Sequence, residues 1–323
     1  MTKEYKNKEQ QIKYLIENKN IDPLTLSTEL FEYRSYVSLV NPYKEFVCKN
    51  KIGETHIYDD PTDFSLFLNI AYIDDFISSR LNLYINAFEK HLKSFIASVY
   101  SEKMNKVSRN CDDYATWELI KASGSTNLSL KIFHDCLPIG NDYDKKFTLI
   151  CAEEEVISKR ISVVSTILKL SSTTTSSKNI IVNHYKANHF PVPFWIVVHE
   201  LYLGDLLVLL GMLPIKEQVA FCEKLSNKTL NYNEARSMIT RMTCIKNMRN
   251  IINHYEPIVP YFLGCVNDNS LEQVKKSIQL LMIHYENSPL KNIEIKPLKD
   301  FILRENDYTR KRINMLKDIL GVI

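Results

Sequence analysis

The sequence predicts an all-α, multi-helix protein, and three observations lead to that prediction. Only 7 of the 323 residues are glycine and 11 are proline, which leaves few sites for the tight turns of all-β or glycine-rich nucleotide-binding folds. Apolar residues make up 45% of the chain and charged residues 24%, a composition typical of a folded domain with a core. Apolar side chains recur at steps of three and four over long stretches, which is the periodicity of helices.

The first region, residues 1–103, is predicted to hold two helices followed by a much longer one. The first two are predicted at 7–19 and 25–40, and Asp22-Pro23 separates them because proline interrupts helical hydrogen bonding. A polar loop is expected at 53–62. From residue 63 to about 103 the apolar steps persist for roughly ten turns, which predicts one long amphipathic helix or two stacked ones.

Two further regions follow, at residues 104–190 and 191–323. The first is predicted to be an irregular or inserted helical region with a Ser/Thr-rich loop at 171–177. The second is predicted to be helical throughout, and the three regions are also compatible with one integrated globule. The predicted helices of these two regions span 150–170, 194–213, 215–226, 231–255, 271–287 and 305–320.

The charge, the cysteines and the most apolar stretch predict a cytoplasmic protein with no membrane segment. A formal net charge of +3 is too small to establish nucleic-acid binding by itself. The seven cysteines are odd in number and form no CxxC pair, and the polar N-terminus does not resemble a signal peptide, so we expect reduced thiols. The stretch 194–213 carries His199, Glu200 and Asp205 in its middle, which favours a buried helix over a bilayer span.

No cofactor and no metal are predicted. The chain has neither a GxGxxG nor a GxxxxGK[ST] loop, so the usual phosphate-binding loops are absent from the sequence. His199-Glu200 begins like the zinc motif HExxH, but Leu203 occupies the position of the second histidine. The adjacent acids Asp74 and Asp75 diverge by about 100° on a helix, which favours a solvated face over a two-metal site.

The segment 243–257 combines an apolar face with a chemically distinctive polar one. On a helical wheel its polar arc holds Lys246, Arg249, Asn250, Asn253 and His254. Because a proline follows at position 257, we expect the histidine to lie in the last helical turn, where the dipole favours a protonated imidazole. The apolar side chains predicted to face the core around Met248 are Cys244, Ile245, Ile251, Ile252 and Tyr255.

Arg249 and His254 resemble the Arg-x4–6-His signature of HEPN proteins, with Asn250 as the polar residue that often follows the arginine. Three other blocks, in the expected order, resemble the Abi-like abortive infection family of AbiD and AbiF type. They are residues 8–22 with 31–46, residues 81–100 with Glu89 and Lys93, and residues 193–214 with Trp195, Glu200 and Gly204.

The resemblance implies an all-helical protein with a HEPN-type core that acts on RNA in phage defence. It implies a metal-independent endoribonuclease that leaves 2′,3′-cyclic phosphate ends, works as a homodimer and is restrained by a small structured noncoding RNA, as in toxin–antitoxin pairs. Arg249 and His254 would be the catalytic pair, with Asn250, Asn253 and Glu200 as supporting residues.

Two alternatives remain open at the level of sequence. The first is an RNA-binding component of a defence ribonucleoprotein that does not cleave, with Lys246 and the basic run Arg310, Lys311 and Arg312 as RNA contacts. Its further support is the 18 tyrosines and 14 phenylalanines, which can stack on bases or pack in a core. The second alternative is a structural helical protein in which Arg249 and His254 lie on an ordinary solvated helix face.

Overall fold

The computed structural model describes residues 6–26, 29–108, 177, 179–188, 192–213, 215–267, 270–288 and 309–322, together with most of 162–170. The predicted loop at 171–177, apart from its last residue, and most of the region 104–190 lie outside the described residues. Within the described part nearly all regular structure is helical, so the prediction of an all-α, multi-helix fold is confirmed.

The N-terminal elements are short, apart from the first helix. Helix α1 spans Lys8–Lys19, as predicted, and begins with a capping box in which Asn7 and Gln10 each accept the other's backbone N–H. The predicted helix at 25–40 is wrong. In its place stand a 3-10 turn and three short helices, because Ser35 caps a new helix and ends the previous one. Their bounds are Pro23–Thr25 for the 3-10 turn, Leu30–Tyr33 for α2, Tyr36–Leu39 for α3 and Lys44–Val47 for α4.

A two-stranded hairpin follows, where the sequence predicts only a polar loop. Strands β1 (Asn50–Ile52) and β2 (Thr55–Ile57) pair antiparallel, with Lys51 opposite His56. Gly53 lies in the connecting turn with a φ of 57°, a conformation that residues with a side chain disfavour. The turn and the buried His56 explain why this polar stretch forms strands.

The longest element is helix α5, Ser65–Ser108, which is one continuous helix as the first of the two predicted alternatives proposed. The later described elements are helical: α6 Ile180–Asn188, α7 Phe194–Val197, a 3-10 turn Val198–Glu200, α8 Leu203–Met212, α9 Ile215–Ser226, α10 Tyr232–Asn253, α11 Val259–Asn267, α12 Leu271–Glu286 and α13 Arg310–Val322.

The apolar stretch 194–213 is not one helix, which corrects the sequence prediction. Tyr202 adopts an extended conformation with φ −78° and ψ 160°, and its backbone N–H donates to Asp205 Oδ2 at 3.1 Å. This cap starts α8 afresh and separates it from α7. The stretch is nonetheless deeply buried, as predicted. Among the described residues no helix combines the length and apolar content needed to cross a bilayer.

The chain divides into two compact units, each built from separate stretches of the sequence. The three predicted regions, by contrast, are consecutive stretches. The first unit contains Met1–Tyr84, Asn247–Met282 and Lys291–Ile323. Its core includes a row of phenylalanine rings in which Phe31 lies 5.9 Å from Phe64, and Phe64 lies 5.6 Å from Phe67, measured between ring centroids.

The second unit contains Ile85–Lys246 and Ile283–Leu290, and a buried histidine pairs there with a half-buried one. His91 Nδ1 and His284 Nε2 are 2.9 Å apart, and the two rings are stacked with centroids 5.1 Å apart. Phe88 and Phe221 pack against this pair. Burial, and then the neighbouring His91, lower the pKa of His284 to about 4, so the imidazole is neutral at physiological pH.

Candidate functional site

Helix α10 ends in a Schellman motif. The backbone N–H of Tyr255 donates to Ile252 O, and that of Glu256 donates to Ile251 O, both at 3.0 Å. These are the two reversed bonds that satisfy the last carbonyls of a helix when the following residue is left-handed. Tyr255 is that residue, with a φ of 56°. Glycine or asparagine usually takes this position, so a tyrosine here is unusual.

The burial of the segment agrees with the predicted apolar face except at its end. Ile245 and Met248 are fully buried, while Ile251 and Ile252 are half-buried. The prediction for Tyr255 is wrong, because its side chain is 96% exposed. Helical periodicity no longer applies at this position, since the left-handed residue turns the chain away from the helix axis.

Asn253 holds the guanidinium of Arg249 from the next turn of the helix. With the amide of Asn253 oriented so that its oxygen faces the arginine, this oxygen accepts from Arg249 Nε at 3.1 Å and from Nη1 at 3.3 Å. The two residues are four apart and therefore neighbours on the helix surface. Arg249 is half-buried, and this pair of hydrogen bonds restricts the rotation of its side chain.

His254 is the first residue after the helix, whereas the prediction placed it in the last helical turn. Its backbone N–H donates to Asn250 O at 3.0 Å, and both side chains are exposed. The polar arc predicted for this segment therefore presents an arginine, two asparagines and a histidine at one helix end, all within the first unit.

A cleft of about 780 Å³ lies beside this helix end, also within the first unit. Asn253, Tyr255 and Glu256 contribute to its wall, whereas Arg249 and His254 are not among its lining residues. The other lining residues are Tyr33, Arg34, Ser38, Tyr43, Asp74, Asp75, Ser78, Ser79, Asn82, Ile252 and Pro257.

Asp74 holds the backbone immediately after the Arg-x4-His motif. The sequence did not predict this capping role. Its carboxylate accepts from the backbone N–H of Ile258 at 3.0 Å and of Val259 at 2.9 Å, which caps the first turn of α11. Burial raises the pKa of this carboxyl to about 6 against the effect of these hydrogen bonds. The only sequence signal was its position on α5 beside the buried apolar stripe at Ile73 and Ile77.

The acidic pair on α5 is therefore split between two environments, which corrects the predicted solvated face. Asp75 is exposed, and its carboxylate forms an ion pair with Arg34. Asp74 is only 3% exposed.

Two of the other family-like blocks, residues 81–100 and 193–214, contact each other through residues of the second unit. Lys93 Nζ lies 3.1 Å from Glu89 Oε1 and donates to the backbone carbonyl of His199 at 3.3 Å. Glu200 is half-buried and accepts from Ser177 Oγ at 2.5 Å. The step from Glu89 to Lys93 thus links α5 to the start of the apolar block.

Gly204 and Lys246 also meet within the second unit. A Cβ atom at Gly204 would lie 3.9 Å from Lys246 Cδ, so the lysine stem passes directly over the glycine on α8. Lys246 is half-buried, as expected for a lysine whose apolar stem packs against a neighbouring helix.

The match with the family model for Abi-like proteins spans residues 29–259, more than two thirds of the chain. The chain belongs to the Abi-like protein family. This membership supports a role in abortive infection, a form of phage defence. The matched range includes Asp74, Glu200, Arg249 and His254, but not the C-terminal basic run. The comparisons with curated proteins and with solved structures give no match.

Within the C-terminal basic run of this Abi-like protein, the three predicted RNA contacts differ in environment. Arg312 is 19% exposed and forms an ion pair of 2.9 Å with Glu45 Oε2. The other oxygen of Glu45 lies 2.6 Å from His56 Nε2. This partly buried cluster gives Arg312 a structural role, and its predicted RNA contact stays a prediction. Arg310 and Lys311 are exposed and line a smaller cleft of about 470 Å³.

No group of three or more histidine, cysteine, aspartate or glutamate side chains with the geometry of a metal site occurs in the described part of the chain. His199, the first residue of the incomplete HExxH motif, is exposed at the surface. Partial desolvation by its surroundings, and then the charge of Lys93, lower the pKa of its imidazole. The four cysteines that the structure describes form no disulfide, and Cys48, Cys222 and Cys265 are buried.

Proposed function

We propose that this Abi-like protein is a metal-independent endoribonuclease of HEPN type that acts in phage defence and leaves 2′,3′-cyclic phosphate and 5′-hydroxyl ends. One observation carries the proposal. Arg249 and His254 lie at the same end of α10, and Asn253 holds the arginine fork through two hydrogen bonds. A guanidinium and an exposed imidazole carried by the same helix end are the two groups that acid–base cleavage of a phosphodiester needs.

The cleavage needs no outside nucleophile, because RNA supplies its own 2′-hydroxyl. A base removes the 2′-O proton, the 2′ oxygen attacks phosphorus, and the bond from phosphorus to the 5′ oxygen breaks. The leaving 5′ oxygen then takes a proton from a general acid. The imidazole of His254 can serve as the base or as the acid in these transfers.

Arg249 stabilises the charge that develops on the phosphate during this step. Its planar guanidinium matches two non-bridging oxygens, and such charge-assisted hydrogen bonds are about twice as strong as neutral ones. Asn253 acts as a positioning residue, because it orients the guanidinium without touching the phosphate. Asn250, exposed on the same helix end, adds a hydrogen-bonding amide towards the RNA strand.

A homodimer fits this chemistry, because each chain places one histidine, His254, at the proposed site and the reaction has two proton transfers. Pairing the ends of α10 from two subunits would supply a base and an acid in one composite site. A small structured noncoding RNA, bound until infection, would restrain the nuclease, as expected for the AbiD and AbiF type. Glu200 lies in the second unit, where it supports the apolar block through Ser177.

The test is cleavage of end-labelled RNA in EDTA. We compare the parent protein with Arg249→Ala, His254→Ala and the double variant, and analyse the ends for cyclic phosphate. Arg236→Ala is the matched control, because this arginine is exposed on the same helix and its substitution removes the same charge. We expect the control to cleave like the parent, and each site variant to lose at least about 100-fold in rate.

Asn253→Ala separates positioning from a direct contact. We expect a loss of about 10-fold in kcat, because a freely rotating guanidinium is less often in place. Equal cleavage by the parent and the double variant would refute the catalytic assignment. RNA binding without cleavage by the parent, even after bound RNA is removed, would favour the non-cleaving defence component, for which Arg310 and Lys311 are the exposed cations.

A further inference from the structure

We propose that the cleft beside α10 receives a nucleobase of the RNA strand whose phosphate lies at Arg249 and His254. This inference rests on the proposed function and extends it, because it assigns a binding site to residues outside the Arg-x4-His motif. Asn253 connects the two sites, since it contacts the arginine and also lines the cleft. The volume of about 780 Å³ is typical of small-ligand sites.

Two exposed tyrosine rings line the cleft. Tyr33 is 88% exposed and Tyr255 is 96% exposed, and both contribute to its wall. A tyrosine that packs in a core would be buried, so these rings are available to a ligand. Aromatic rings exposed beside a groove are the usual platforms on which unpaired bases stack.

The backbone at Tyr255 gives a second and independent reason. A left-handed residue other than glycine costs about 1–2 kcal/mol, and such strain is concentrated at functional sites. The Schellman motif would form more easily with glycine, but glycine has no ring to place beside the cleft. The conformation occurs at a residue that lines the cleft and directly follows His254.

The charges of the cleft favour a base over a phosphate. Its lining includes the carboxylates of Asp74, Asp75 and Glu256 against a single cation, Arg34, which is already paired with Asp75. A phosphate would be repelled by this excess of acids, whereas the exocyclic amines of adenine, cytosine and guanine donate hydrogen bonds to carboxylates. Uracil has no exocyclic amine and presents two carbonyl oxygens, so we expect uridine to bind most weakly.

Free nucleosides test the cleft without relying on cleavage. Saturation-transfer NMR and isothermal titration with adenosine, cytidine, guanosine and uridine give their affinities for the full-length parent protein. Adenosine 5′-monophosphate is measured beside adenosine to test the charge argument. We expect the nucleosides with an amine to bind more tightly than uridine, and adenosine to bind more tightly than its monophosphate.

Variants of the two rings place the binding site. Tyr255→Ala and Tyr33→Ala should each weaken nucleoside binding by roughly 5- to 150-fold, the range of one lost base stack. Tyr255→Phe keeps the ring and should restore the affinity. Tyr72→Ala is the matched control, because Tyr72 is 53% exposed on α5 but does not line the cleft.

The outcomes separate this inference from the function on which it rests. Absence of nucleoside binding at millimolar concentration would overturn the base pocket, and so would binding that is unchanged in Tyr255→Ala and Tyr33→Ala. Cleavage that depends on Arg249 and His254 would leave the proposed nuclease intact in either case. Ring-dependent nucleoside binding by a protein whose double variant cleaves like the parent would support the pocket and refute the catalytic pair.

Discussion

Replacing Tyr255 with glycine is expected to stabilise the end of α10, although the change removes a whole aromatic side chain. The residue has a φ of 56°, where the Cβ atom of any L side chain crowds the backbone. Glycine has no Cβ and adopts this conformation without strain. Because the ring is 96% exposed, its removal forfeits little buried apolar surface.

Two opposing terms set the magnitude. Relief of the left-handed strain is worth about 1–2 kcal/mol. Glycine has more conformational freedom in the unfolded chain, which destabilises the folded state by about 0.4–1 kcal/mol. The net stabilisation of Tyr255→Gly is therefore about 0.5–1 kcal/mol. Tyr255→Ala keeps the strain and loses only the exposed ring, so its stability should stay within about 0.5 kcal/mol of the parent.

Hydrogen exchange measures this effect where it acts. The N–H of Glu256 donates to Ile251 O and that of His254 donates to Asn250 O, so both report on the end of the helix. A stabilisation of 0.5–1 kcal/mol should increase the protection of these amides about 2- to 5-fold in the glycine variant. Urea unfolding followed by circular dichroism should move in the same direction.

The glycine variant must be more stable than the alanine variant for this reasoning to hold. The reverse order would refute the claim that backbone strain is stored at position 255. A loss of more than about 1 kcal/mol in Tyr255→Ala would show that the ring packs against the protein. A glycine variant that is more stable yet binds nucleosides less well would tie the strain to function.

Two buried titratable groups give opposite pH dependences. The pKa of His284 is lowered from 6.5 to about 4, so the unfolded chain takes up a proton at higher pH than the native state does. Acidification from pH 7 to pH 5 should therefore lower the free energy of unfolding by about 2 kcal/mol. His284→Phe should reduce this slope in urea unfolding at several pH values, whereas Ile283→Ala, a partly exposed neighbour, should leave it unchanged. The pKa of Asp74 is raised to about 6, so its contribution has the other sign: the native state gains stability as pH falls from about 6 towards 4. An NMR titration of its carboxyl carbon should have a midpoint near 6, and a midpoint near 4 would show that the hydrogen bonds to Ile258 and Val259 outweigh burial.

Helical periodicity determined much of the fold in advance. The all-α class, the single long helix α5 and the buried positions Ile245 and Met248 all follow from apolar side chains spaced by three and four residues. The same periodicity placed the Arg249 side chain on the polar face of α10. These features were accessible because they depend on residues close together in the sequence.

Helix ends were less predictable, because a single local cap can override periodicity. The hydrogen bond from the Tyr202 N–H to Asp205 starts a new helix and divides the apolar stretch, although the composition of that stretch predicts one helix. Tyr255 was predicted to face the core because the helical wheel was continued past the end of α10. At Tyr255 the backbone is left-handed and the chain leaves the helix axis, and a tyrosine in a sequence does not indicate that conformation.

The cleft could not be predicted, because it depends on contacts between residues far apart in the chain. Asp74 caps Ile258 across 184 residues, and the ion pair of Arg312 with Glu45 spans 267. An acidic or basic residue looks the same in a sequence whether it faces solvent or a buried partner. Sequence alone thus determined the helical class of this Abi-like protein and the position of the candidate pair Arg249 and His254 near one end of a helix. Tertiary structure decided which charges are neutralised internally and which rings and carboxylates surround the cleft beside Asn253, because burial and pairing exist only once distant segments have packed together.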